Sequence, residues 1–597
     1  MDARVHIARP KDVMVQMATL TTESWPVGPQ AVVRPLTELS LGRVRVLGWA
    51  GSIFIGCFML WTGRYGMNVD GMSYLDIADG YLHHFSLAAV NGYWSPLYSW
   101  ALALGLGILR PAPSWEFAAV QIVNFVILLA TLFAFDFFWF EQLRQVRKDN
   151  SGEFSSVAWP AWAWAALGYS LFIWMITQGT VVSEVTPDLL LGALVFVAMG
   201  LVIRIRHAQG KMAAMFCLGL SLGAGYLTKA VMLPLAIIFL GVTFLALTGK
   251  AKARILITMI GFALIAGPYV AALSSVKGHF TLGESSTINY AWGLNRTAPF
   301  FNWQGEDPAG GTPQHPTRKI FQSPAAFEFA TPVAGTYPPH YDPSYWNAGL
   351  KPHLNLRDQL RAIVTGSYVA YDTVLLPQSA LIALALLLLF GAGRWPEAAA
   401  RFVRDWHLWV PAIAALGMYA LVTVEARYIA GFVIVLWAAV LSAIRLPNAI
   451  LSKRLQSVSV LIAVIALLSL ATEKVALRMY EWKQRSTNIW WMVADDLHRA
   501  GLDEGDKVAS LGSAYNAYWA RLARLKVVVE IQSTDASSFW AASEQTKSEI
   551  FAACERAGAK AIVTREAPSA GTGAGWIKLG ATGYYIHLLP APIKTLS

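Results

Sequence analysis

The stretch VRVLGWAGSIFIGCFMLW-TGRYGMNV-DGMSYLDIAD, residues 44–79, decides how the rest of the chain is read. From Val44 to Trp61 it carries a single charge, at Arg45, and as a helix it is long enough to cross a hydrocarbon layer of roughly 30 Å. Polar residues follow at once, and with them three acids, Asp70, Asp76 and Asp79. The aromatic, proline-broken stretch Asn91-Gly92-Tyr93-Trp94-Ser95-Pro96-Leu97-Tyr98 comes next. Acids placed just beyond a span sit at a membrane surface, where a lipid-borne molecule is within reach.

Composition extends this reading to the whole chain. Of 597 residues 55% are hydrophobic and only 14% charged, too apolar for a large soluble enzyme. Apolar runs at 43–62, 115–141, 157–177, 188–206, 211–228, 230–248, 254–275, 373–391, 406–424, 428–444 and 455–473 predict about eleven crossings. The run 96–109 is shorter and predicts a helix lying at the surface. The net charge of +10 raises the question of nucleic acid, but the basic residues are scattered among short loops, so no nucleic-acid partner is expected. They instead mark alternate loops, among them Arg144, Arg147 and Lys148, or Lys250, Lys252 and Arg254, which the positive-inside rule assigns to the cytoplasm.

This fixes the expected topology. The segment 1–42 is cytoplasmic and its following span an uncleaved anchor; residues 43–474 form the membrane domain, with outer loops at 63–114 and 276–372. The tail 475–597 lies outside. Its β-rich runs Lys507–Leu511, Lys526–Ile531, Lys560–Val563 and Tyr584–Leu589 alternate with helical ones and predict a small α/β domain. Gly571-Thr572-Gly573-Ala574-Gly575 lacks the preceding strand and following helix of a phosphate-binding loop, and reads as a turn.

The outer face carries the candidate chemistry, each residue with an ordinary reading beside it. Asp70 has the position of a helix N-cap; a carboxylate there is also able to take a proton from an attacking hydroxyl. Asp76 and Asp79 read as solvated helix positions. Glu184 and Asp188 flank Val185-Thr186-Pro187, where acids and proline mark a helix start, but they also place acids on the face of Asp70, able to hold an acceptor or a divalent metal. Lys229 and Arg427 are the outer-side cations. Each is either an interfacial anchor, with Glu425 as an ion-pair partner for Arg427, or a contact for a phosphate leaving group. The histidines of 276–372, His279, His315, His340 and His353, lack zinc-type spacing, so no metal site is assigned to them. Cys57, Cys217 and Cys554 form no local pair.

Five local features together resemble the C-type-fold glycosyltransferases that use polyprenyl-phosphate sugars, the superfamily of bacterial aminoarabinose transferase and protein O-mannosyltransferases. They are Asp70 with Tyr74 and Ala78; Ser95-Pro96-Leu97-Tyr98-Ser99-Trp100; Pro187-Asp188; Leu222-Gly223-Ala224-Gly225-Tyr226-Leu227-Thr228-Lys229; and Glu425-Ala426-Arg427-Tyr428. The resemblance spans most of residues 43 to 445. It implies inverting transfer of a sugar from a polyprenyl-phosphate carrier to a hydroxyl of a lipid, glycan or protein, at the outer face of the inner membrane. Asp70 is then the base, Asp188 lies near the acceptor, and Lys229 and Arg427, with Tyr428 and Ser95, lie on the phosphate side. Two departures stand out. Gly71 follows Asp70 where the family often has a second acid, and Ser95 precedes the proline where some members have lysine, which implies either a different donor or phosphate binding shifted to Lys229 and Arg427. No cofactor is required, although a divalent metal is left open. The rival classes are a lipid or sugar-lipid transporter and a non-catalytic membrane scaffold.

Overall fold

The computed structural model describes residues 40–84, 89–149, 156–157, 159–208, 210–296, 302–305, 310–391, 395–447, 450–484, 487–566 and 575–590. The expected N-terminal segment up to residue 39 and residues 571–574 of the glycine run lie outside them.

A helix stands in every predicted apolar run: α1 Leu41–Thr62, α4 Glu116–Asp149, α5 Ala161–Trp174, α6 Asp188–His207, α7 Met212–Thr228, α8 Met232–Ala246, α9 Ile255–Lys277, α12 Ser379–Gly391, α14 Trp406–Ala420, α15 Ala426–Ala443 and α16 Ile450–Gln484. Between and beside these lie α2 Val69–His84, α3 Pro96–Leu109, α10 Ser285–Gly293, α11 Leu356–Ala370 and α13 Trp395–Arg404. Six segments have the length and composition of a full crossing: Leu41–Thr62, Pro113–Asp149, Asp188–His207, Gly249–Lys277, Ala426–Ala443 and Gln456–Lys483. A bent pair, Leu356–Leu375 with Ser379–Phe390 at 82°, brings this to seven when taken as one span. Large apolar side chains such as Phe54, Leu104, Val126, Ile237 and Leu264 face outward, as the surface of an integral membrane protein requires.

Local chemistry sets several boundaries. Proline at the first turn of α3 removes an N–H that has no helical partner, and Arg110 in the left-handed region ends the helix by donating its N–H to Leu106 O. Deep in the bundle, the Trp139 and Trp164 indoles each donate to the other's carbonyl, at 2.9 and 3.0 Å, so two large rings are buried without an orphaned N–H. They pack this closely because residue 168 is glycine, where a Cβ would lie 2.2 Å from Trp139 Nε1.

The C-terminal part folds around a seven-stranded sheet, with α17 Ile489–Arg499 before its first C-terminal strand and α18 Ser533–Ala541 and α19 Glu544–Arg556 packed among its connections. Its strands are β1 Arg318–Phe321, β2 Ala326–Glu328, β3 Lys507–Leu511, β4 Lys526–Ile531, β5 Ala561–Thr564, β6 Trp576–Leu579 and β7 Tyr584–Leu588, in the order β1-β2-β4-β3-β5-β7-β6. Strand β3 is parallel to both β4 and β5, and the outer pairs are antiparallel. Two strands thus come from the loop 276–372, which the sequence reading had only as an outer loop of the membrane domain.

Asp76 and Asp79 correct the sequence reading. Asp76 is buried and accepts from Thr336 N (2.7 Å), Thr336 Oγ1 (2.8 Å) and Arg521 Nη1 (2.9 Å). Asp79 lies 2.6 Å from the same guanidinium, whose other face meets Glu116 at 2.5 Å. Arg524 adds contacts to Asp79 (3.4 Å) and Glu116 (3.1 Å). Three acids from the first loop and the start of α4 are therefore matched by two arginines of the C-terminal part, and the sheet is fixed to the membrane body through them.

Candidate active site

A cavity of about 800 Å³ opens between the membrane helices and the C-terminal sheet. Asp70, Ser95, Asp188, Lys229, Arg427 and Tyr428 all line it. Residues separated by as many as 357 positions meet there.

Arg427 is the hub. It stands in the first turn of α15, whose N-cap is Glu425. Its Nε lies 2.6 Å from Glu425 Oε2 and 3.7 Å from Asp188 Oδ2, and its Nη2 donates to Asp70 Oδ2 at 3.1 Å. The Glu425–Arg427 pair anticipated as the ordinary reading of this turn is present, but it is one arm of a larger network. Asp188, in the first turn of α6 and almost wholly buried, also takes Lys229 Nζ at 2.6 Å. Lys229 lies between α7 and α8, with its ammonium 3.4 Å from the centre of the Tyr428 ring. Burial pushes the Lys229 ammonium down from its ordinary range, and the Asp188 carboxylate opposes that. Tyr428 donates to Glu425 Oε1 at 3.0 Å and stacks on Tyr419.

Asp70 departs from the expected N-cap. Helix α2 begins at Val69, which puts Asp70 inside its first turn. The preceding Asn68 is engaged elsewhere: its amide accepts from Val185 N at 2.8 Å and donates to Val185 O at 3.3 Å. That pair ties the first loop to the segment before Asp188, and so brings Asp70 and Asp188 to one guanidinium.

Ser95 is the N-cap of α3, makes no side-chain capping bond and lines the cavity. The turn before it is shaped by Asn91, whose Oδ1 accepts from Tyr93 N and Trp94 N at 2.8 and 3.0 Å, an Asx turn that the sequence motif encodes. Glu184 does not line the cavity. It sits beside it with its carboxyl pushed up by burial and only partly restored by Arg427.

Several lining residues escaped the sequence reading. Tyr93 donates to Asn289 Oδ1 at 2.8 Å and lies against Trp292, so α10 contributes a wall. Ser513, Tyr515, Glu530, Gln532, Ser533 and Thr534 come from the C-terminal sheet. Aromatic residues gave the one signal, in the run 93–94 and at Trp292 within 276–372; the others sit in stretches that carry no motif. Among the described residues no group of three or more His, Cys, Asp or Glu side chains is placed to hold a metal ion. The acids at the hub face cations instead of each other, so the divalent metal left open by the sequence has no donor set here.

No known family profile and no curated protein matches the chain. Solved structures do. ArnT from Cupriavidus metallidurans in the apo state aligns with a TM-score of 0.52 at 12% identity, over 92% of this chain and 98% of that one. ArnT from the same organism bound to undecaprenyl phosphate aligns with a TM-score of 0.52 at 10% identity, over 93% and 99%. The architecture is thus that of ArnT, the fold expected from the five sequence features.

Proposed function

We propose that this chain is a membrane glycosyltransferase that moves a sugar from a polyprenyl-phosphate carrier to an acceptor hydroxyl at the extracytoplasmic face, with inversion at the anomeric carbon. The observation that carries the reading is the meeting of Asp70, Asp188, Lys229 and Arg427 in one large cavity at the junction of membrane helices and sheet. The likeness to a structure that binds undecaprenyl phosphate is in keeping with it.

The chemistry follows from the charges. An acceptor oxygen attacks the anomeric carbon, its proton passes to Asp70, and the bond to the phosphate oxygen breaks. The charge gathering on that oxygen is met by the Arg427 guanidinium and the Lys229 ammonium, in a site where water is partly excluded. Before donor arrives Arg427 holds Asp70, and a phosphate that takes over the guanidinium releases the carboxylate to act as base. Asp188 keeps both cations oriented from beneath, so we assign it a positioning role. Glu184, outside the cavity wall, serves the local electrostatics. Ser95 supplies a hydroxyl where some relatives of this fold class place lysine.

The test is transfer of label from a radiolabelled polyprenyl-phosphate sugar pool in membranes, with wild type and Asp70→Asn at matched protein level. Product formed by wild type and lost in Asp70→Asn supports the reading. Equal transfer by both removes Asp70 as base, and no transfer from a broad donor panel favours a transporter or scaffold.

A further inference from the structure

We propose that the acceptor is an uncharged, polyhydroxylated carbohydrate, held against the carboxyl ends of β3 and β4. This deepens the glycosyltransferase reading and rests on it.

Two independent observations point there. The first is the charge lining the cavity. Among the described residues that line it, the formally charged ones are the acids Asp70, Asp188, Glu425 and Glu530 and the cations Lys229 and Arg427. Both cations are already matched by acids within 4 Å, and one donor phosphodiester adds a further negative charge. Glu530 is pushed up by burial, yet with it neutral the acids still outnumber the cations. A second anion in the same cavity meets net repulsion with no cation left to receive it. An acceptor reached through a phosphate or carboxylate is thereby disfavoured.

The second is the part of the lining that the C-terminal part supplies. Strands β3 and β4 run parallel, and ligands of open α/β sheets bind beyond the carboxyl ends of such strands. Here those ends deliver Ser513, Tyr515, Gln532 and Thr534 to the cavity, all neutral donors and acceptors. The two loops are locked to each other by Ser513 N donating to Ser533 Oγ at 2.9 Å. Helix α18 starts at Ser533 and its N-terminal partial charge would favour an anion, but Asp535 stands in the same first turn and offsets it. Tyr93 and Trp292 add aromatic rings to the same lining. Hydroxyl and amide groups together with aromatic rings match the two kinds of surface a sugar presents: equatorial hydroxyls and apolar C–H faces.

The experiment uses the full chain in native membranes charged with radiolabelled polyprenyl-phosphate sugar. Products are delipidated and separated by anion exchange into neutral and acidic fractions, with Asp70→Asn as the control. Label that depends on Asp70 is expected in the neutral fraction. Tyr515→Phe and Gln532→Ala, in membranes matched for protein, are expected to lower the Asp70-dependent neutral label severalfold with unfolding midpoints unchanged. Gln532→Lys, which adds a cation to the wall, is expected to move at least threefold more label into the acidic fraction. Asp70-dependent label found mainly in the acidic fraction of wild type overturns this inference and leaves the transferase reading standing. Absence of any Asp70-dependent product overturns both.

Discussion

Arg427 Nη2 lies 3.1 Å from Asp70 Oδ2, so the guanidinium we propose to meet a departing phosphate also holds the carboxylate we propose as base. On that proposal, base and leaving-group contact are coupled before substrate arrives. Replacing Asp70 by Asn keeps the shape and one acceptor oxygen but removes the basic group. Transfer is expected to fall by about 10²–10⁴, the usual contribution of a positioned base. Thermal stability should fall far less than activity, because the Asp70 side chain is a quarter exposed and Arg427 retains two other acids. Parallel unfolding curves with unequal transfer rates check this.

The two cations differ in what they leave behind. Lys229→Met removes the 2.6 Å partner of an almost wholly buried carboxylate, and Asp188 then depends on Arg427 at 3.7 Å. A buried charge stripped of its partner is strongly destabilising, by about 3–5 kcal/mol where the loss is complete. Lys229→Met is therefore expected to lower both stability and transfer. The double variant Lys229→Met with Asp188→Leu, which removes both charges, should recover much of the stability without recovering transfer. Unfolding midpoints and transfer rates of the three proteins distinguish these outcomes.

Arg521 tests the attachment of the sheet. Its guanidinium is buried among Asp76, Asp79 and Glu116, all within 3 Å. Arg521→Met leaves three acids with only Arg524, at 3.1 Å or more, to compensate them. A loss of about 3–5 kcal/mol is expected, read as earlier proteolysis between 485 and 530 and a lower unfolding midpoint. Because this network joins to the membrane body the C-terminal part that supplies Ser513, Tyr515 and Gln532 to the cavity, transfer should fall with it.

That network also shows what the sequence conceals. Apolar runs locate helices because hydrophobicity is a local property, and a helix indeed stands in each of the eleven. Asp70, Asp188, Lys229 and Arg427 were legible as candidates because a charge at the end of an apolar run is conspicuous, and Ser95 and Tyr428 through the motifs that carry the family resemblance. Asp76 and Asp79 were read as solvated because their partner lies 445 residues away from Asp76. Strand β2 was hidden in part for the same reason: besides its local partner β1 it pairs with β4, some two hundred residues on. The cavity-lining loops after β3 and β4 consist of residues that any surface turn would carry, and only the folded sheet brings them to the cavity.

Acid should loosen the protein through His340. Its ring is buried, Nδ1 lies 2.8 Å from Ser73 Oγ, and the ring packs edge-on against Trp94 and Tyr515. Burial pushes its pKa down to about 3 from an ordinary value near 6.5. Between these two values the unfolded chain binds a proton at this residue that the folded protein excludes. Stability from this group is therefore fully present above pH 6.5 and is lost progressively as pH falls toward 3, with a limiting slope of about 1.4 kcal/mol per pH unit. His340→Gln removes the titration while keeping a polar group beside Ser73. Wild type is expected to lose about 2 kcal/mol more than His340→Gln between pH 6.5 and pH 5. Because Trp94 Nε1 donates to His340 O at 2.9 Å, the same opening loosens the aromatic wall before Ser95. Unfolding midpoints of the two proteins across that interval give the measurement, and parallel curves would remove His340 as the source of acid sensitivity.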